Sequence, residues 1–187
     1  MTSSIPLVLS DTEKLAIHEA GHALMFDASG VPIDQVTIEP GCGGERSSFE
    51  GCVKLASDTN NVCIVIAGTL AGPAASFFIA HEAMDNDAMQ KFRSDQKILR
   101  DIYSGANDAG SWDDFWSRLQ VFQGSWLRVW IMEHQQVVER FANELLAQKT
   151  LSGVKLKETL ASSWAGAKPD AGELQTEVTS VLARLLK

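Results

Sequence analysis

DTEKLAIHEAGHALMF, residues Asp11–Phe26, is the stretch on which the reading of this chain turns. His18 and His22 stand four residues apart, and Glu19 directly follows the first of them. Apolar residues surround the trio without a proline, so an amphipathic helix is expected. On a helix, positions i and i+4 lie one turn apart on the same face, and both imidazoles can reach one metal ion without bending the backbone. Glu19 points about 100° away from His18, toward the edge of that face, where a carboxylate can reach a metal-bound water. Asp11 is the expected N-cap, with Glu13 well placed in the first turn and Lys14 completing no capping box. Gly21 costs a helix about 1 kcal/mol against alanine. Between two ligands it makes physical sense if another element packs closely there.

The chain has 187 residues, 45% of them hydrophobic, which suits one domain with a sizeable core. We expect a metal-bearing domain over residues 1–165, then a linker and an amphipathic helix over 166–187 packed on it. A net charge of -8 without any Lys/Arg cluster argues against a nucleic-acid partner. Residues 1–10 lack a basic start and a cleavage-type tail, so no secretory signal is expected. Cys42, Cys52 and Cys63 form no CxxC pair, and their odd count suggests reduced thiols in a cytoplasmic chain. Val62 to Ala80 is uncharged and contains Gly68-x-x-x-Gly72. Its many small residues, Pro73 and the lack of flanking anchors favour a buried core helix over a membrane span.

The elements expected along the chain are mostly helical. A stop signal follows the first helix at residues 28–32, and 36–40 alternates like a strand ended by Pro40. Residues 49–55 are a second strand, and 58–61 open the apolar helix. Ser94 is the expected N-cap of a helix reaching Tyr103. Ser111 to Asp114 resembles a capping box opening a long helical run from Trp112 to Leu146, with Gly124 as a break. Its aromatic series is expected to be core packing. Residues 151–153 read as a turn, with Ser152 capping a short helix to about Ser163. The fold class is thus mainly α (α+β), with a small two- or three-stranded sheet near the histidine helix.

Two histidines do not complete a catalytic zinc site, and a third protein ligand is usual. His81, Glu82, Asp85, Asp87, Asp95 and His134 are the candidates. Position 28 is Ala, which rules out the HExxHxxGxxH arrangement.

HEAGHAL after its lead-in resembles the peptidase domain of the FtsH-type membrane-bound ATP-dependent zinc proteases. VTIEP resembles the strand after that family's metal helix, AGTLAGPAAS its small-residue helix, and Ser94-Asp95 its motif for the third ligand. Residues 138–160 resemble its late helix, turn and helix, so the likeness spans about residues 11–160. The resemblance implies that Zn2+ binds His18, His22 and Asp95, with Glu19 as general base. Ser76 departs from the Glu common in the family, which puts a supporting contact in doubt: lost, or rebuilt through water. No GxxxxGK(S/T) phosphate loop occurs, so no ATP is implied and the domain would stand without an ATPase module.

The implied function is a zinc metalloendopeptidase of the HExxH type that hydrolyses peptide bonds in flexible or unfolded polypeptide. A substrate strand would add beside Phe49, Gly51 and Val53. Two alternatives stand beside it. One is a catalytically weak interaction module; the other is a regulatory protease with one dedicated protein substrate, as HExxH proteins that inactivate phage repressors are. An oligomer is compatible with each.

Overall fold

The computed structural model describes residues 9–40, 51–57, 59–82, 93–105 and 110–187. The histidine segment forms α1 (Asp11–Ala28). Its N-cap is Ser10, not Asp11: Ser10 Oγ accepts from the Glu13 backbone N–H at 3.3 Å, and the Glu13 carboxylate accepts from the Ser10 N–H at 2.7 Å. Glu13 lies three residues after Ser10, the spacing a reciprocal capping box needs, whereas Asp11 would have Lys14 there. Every residue from Ala16 to Phe26 is buried. The helix is therefore central to the core rather than amphipathic, as its nearly unbroken run of small and apolar residues allows.

The apolar stretch forms α2 (Val62–Phe78), whose N-cap Asn61 accepts from the Ile64 N–H through its side chain. It is a core helix, as expected. Among the described residues no helix is long and apolar enough to cross a membrane. Glycines set its approach to α1. A Cβ on Gly21 would overlap the Ala71 carbonyl and stand 2.8 Å from Ala75 Cβ, and one on Gly68 would overlap the Phe26 ring.

Three short strands form one antiparallel sheet in the order β2-β1-β3: β1 (Ile33–Thr37), β2 (Cys52–Leu55) and β3 (Thr150–Ser152). β1 starts three residues before the expected strand because its pairing with β2 begins at Ile33 opposite Leu55. β2 keeps the C-terminal half of the expected second strand, and Phe49 lies outside the described residues. β3 replaces the turn expected at residues 151–153. Buried Leu151 pairs with Val36 across the middle of the chain, a pairing that local turn chemistry does not reveal.

α3 (Arg93–Gly105) begins one residue before Ser94, so Ser94 is inside the first turn and is not the cap. The long helical run is α4 (Trp112–Phe122), a π-helical turn at Gln123–Leu127 that contains Gly124, α5 (Arg128–Glu133) and α6 (Gln135–Gln148). Ser111 caps α4 as expected, its Oγ accepting from the Asp114 N–H at 3.1 Å. Leu119, Trp130, Val137, Phe141 and Leu145 from this run are core residues; Trp112, Trp116 and Trp126 are partly buried against them.

α7 (Gly153–Trp164) follows Ser152, which occupies the cap position but makes no side-chain cap bond. α8 (Ala171–Leu185) is capped by Asp170 and buries Leu174, Val178 and Leu182. It is tied down by Gln175 Nε2 donating to the Ser29 carbonyl at 2.6 Å and Trp126 Nε1 donating to Glu177 at 2.7 Å. The last helix therefore covers the core. The expected set of reduced thiols is corrected: Cys63 is a free thiol, but Cys52 is disulfide-bonded. Disulfides persist mainly in oxidising surroundings, so the cysteines give no support to a cytoplasmic location.

Candidate metal centre

α1 brings His18, Glu19 and His22 into the core, and the first turn of α3 delivers Asp95 to the same point. His18 Nε2 and His22 Nε2 are 2.9 Å apart. Asp95 Oδ2 lies 3.2 Å from His18 Nε2, and Asp95 Oδ1 lies 3.4 Å from His22 Nε2. A tetrahedral zinc with bonds near 2.0–2.1 Å separates its ligand atoms by about 3.3 Å. The three side chains therefore already stand at the edge lengths of a metal tetrahedron.

The polar atoms fit the same reading. Two imidazoles and a carboxylate at 5, 6 and 8% exposure converge with no cationic side chain between them. Asp95 is buried with one carboxylate oxygen facing each imidazole, Oδ2 toward His18 and Oδ1 toward His22. Burial and the neighbouring His22 push His18 below its ordinary pKa of 6.5. At His22, burial is outweighed by the charge and contact of Asp95 and by Glu19, and its pKa is raised to about 9. At Asp95, burial is outweighed mainly by His22, which holds the carboxyl well below the usual carboxylate range. The protein alone thus draws a proton into the centre of the triangle, where a divalent cation would be held for the same electrostatic reason.

α2 supports both rings from behind. His22 Nδ1 donates to the Gly68 carbonyl at 2.7 Å, and His18 Nδ1 lies 3.1 Å from Ser76 Oγ. Such outer contacts orient ligand rings and select their tautomers. Ser76, the position at which the sequence departs from the resembled pattern, thus touches His18 directly through its hydroxyl.

The chain matches no family model, and no curated protein matches it.

Among the described residues, His18, His22 and Asp95 form the one group of three or more His, Cys, Asp or Glu side chains able to share a metal ion. Of the other third-ligand candidates, His81 is exposed, and Glu82, whose charge also reaches His18, lies 3.8 Å from Lys14 Nζ. His134 donates to the Trp130 carbonyl at 2.8 Å and packs against Trp130 and Trp164. Asp85 and Asp87 lie outside the described residues.

Glu19 is buried at 4% exposure and contributes to the field at His22. Its carboxylate lies against the entry to β2. A Cβ on Gly51 would come within 2.8 Å of both Glu19 Cγ and Oε1 and 2.5 Å of the Thr37 carbonyl oxygen. Gly51 is thus next to the Glu19 carboxylate as well as next to the start of β2. Val53 is half-buried opposite Val36 in the ladder. The room that Gly51 leaves for Glu19 and the carbonyl of Gly68 are the site features the sequence reading missed. A glycine at either position is compatible with many turns and packings, and only the neighbour across the gap says which.

Proposed function

We propose that the protein is a zinc-dependent endopeptidase acting on flexible or unfolded polypeptide, in the manner that the likeness to FtsH-type peptidase domains implies. The observation that carries this reading is the His18–His22–Asp95 triangle at metal-ligand spacing, with the Glu19 carboxylate buried beside it. A pair of structural helix histidines needs neither a buried third acid nor a second buried carboxylate.

Zinc held by these three ligands would supply a Lewis acid for the scissile carbonyl and make water acidic enough to be deprotonated near neutral pH. Glu19 is the group that takes the proton from the attacking water and hands it to the leaving amine. Gly68 and Ser76, in contact with the Nδ1 atoms, would hold the two rings with Nε2 free for the ion. Among the described residues β2 is an outer strand of the sheet, and Gly51 lies against Glu19 at its start, so a substrate chain lying along that edge would pass close to the base.

Metal analysis together with cleavage of an unfolded, fluorescently labelled polypeptide tests this reading. Wild-type protein should hold one zinc and cleave. Glu19→Gln should keep the zinc and lose roughly 10²–10⁴-fold in rate. Undiminished cleavage by that variant sinks the assigned mechanism. Stoichiometric zinc without general cleavage would favour a protease with one dedicated substrate, and no zinc at all would favour an interaction module.

A further inference from the structure

The two ring supports behind the triangle are chemically unequal. The Gly68 carbonyl can only accept, so it holds the proton of neutral His22 on Nδ1 and leaves Nε2 with its lone pair toward the centre. The Ser76 hydroxyl facing His18 Nδ1 can either donate or accept. Ser76 is 1% exposed, and His18 is the hydrogen-bond partner of its Oγ among the described residues.

We infer that Ser76 is a positioning residue for the ion: by accepting from His18 Nδ1–H, its hydroxyl selects the ring tautomer whose Nε2 can bind metal. This rests on reading His18, His22 and Asp95 as a metal centre. The hydroxyl has two settings. Donating to Nδ1, it drives the proton of neutral His18 onto Nε2 and blocks ligation. Accepting from Nδ1–H, it frees Nε2, and its own hydrogen turns to a carbonyl one turn back on α2, an option open to helical serines. Metal binding requires the second setting. Only His18 bears the work of that rotation, because His22 is held by backbone. The side chain at position 76 therefore tunes the affinity of the whole site through one ligand.

The test compares wild type with Ser76→Ala, a substitution that suits a helix and removes only the hydroxyl. Zinc dissociation constants are measured by competition with a chromophoric chelator, and thermal unfolding is followed on the metal-free proteins. Ser76→Ala should bind zinc roughly 10- to 100-fold more weakly, because His18 Nδ1–H loses its contact with the Ser76 hydroxyl. The metal-free unfolding temperature should stay near that of wild type. An unchanged zinc constant overturns the proposal, whatever happens to stability. Wild type that binds no zinc removes the metal centre itself and this inference with it, an outcome distinct from equal binding by both proteins.

Discussion

The imidazole of His22 occupies the space in which residue 72 would carry a side chain. A Cβ built on Gly72 overlaps Nε2, Cε1 and Cδ2 of that ring, and a Cβ on Gly21 overlaps the Ala71 carbonyl from the opposite helix. α1 and α2 therefore meet backbone to backbone at the level of the ligands. The depth of the His18–His22–Asp95 triangle is set by what these glycines lack.

Gly72→Ala tests that contact. The added methyl must push the His22 ring or separate the helices, and overpacking of this kind costs about 1–3 kcal/mol. Urea unfolding should show the loss in stability, and chelator competition should show weaker zinc binding. Wild-type values for both would contradict the packing account.

Gly51→Ala addresses the base rather than the metal. Its Cβ would stand 2.5 Å from the Thr37 carbonyl oxygen and 2.8 Å from Glu19 Cγ and Oε1, so the start of β2 and the Glu19 side chain have to shift, whereas none of His18, His22 and Asp95 is among its nearest neighbours. Misplacement of a reacting group by about 1 Å can cost on the order of 10²-fold in rate. Peptide cleavage should fall by at least about tenfold, with zinc stoichiometry unchanged. Loss of zinc instead would mean that the strand supports the ligands themselves.

The metal-free protein should be most stable near pH 6.5. His22 is raised from 6.5 to about 9, so its contribution is fully present below 6.5 and is lost as pH rises through about 9. His18 is lowered from 6.5, so its unfolded form takes up a proton first and stability falls as pH drops below 6.5. Asp95 adds stability above its ordinary 3.8 that is lost only under stronger acid. Chemical unfolding at a series of pH values should trace this maximum. Zinc, which replaces the proton on His22, should release about one proton on binding at pH 7. Calorimetry in buffers of different ionisation enthalpy reads that proton, and its absence would contradict the raised His22.

Leu182→Ala separates core from site. Leu182 is fully buried where α8 covers the other helices, and truncation of such a residue costs about 2–5 kcal/mol. Denaturant unfolding should show the loss, while zinc affinity in the folded protein stays at the wild-type level. A stability change within about 0.5 kcal/mol would mean that α8 is not part of the core.

Much of the site was legible because it is local. His18, Glu19 and His22 share little more than one helical turn, and helical geometry alone brings them together. The core character of residues 62–78 was legible from small apolar residues, and the cap at Ser111 from its side-chain chemistry. The cap at Ser10 was missed because Asp11 beside it is an equally good capping residue, and only the Glu13 partner decides between them. β3 was missed because Leu151 gains its strand from Val36, which no neighbouring residue implies.

By itself, the sequence determined that two imidazoles and a carboxylate lie on one helix, that this helix packs against something close at Gly21, and that the chain is mostly helical. It left six candidates for the third ligand. Tertiary structure chose Asp95 by setting the first turn of α3 against α1. It also assigned Ser76 to His18, Gly68 to His22 and Gly51 to Glu19. These pairings join residues 32 to 77 positions apart, and contacts at such separations depend on how helices and strands stack. Periodicity reports which face of an element is apolar, and it carries no information about which residue of another element will stand opposite.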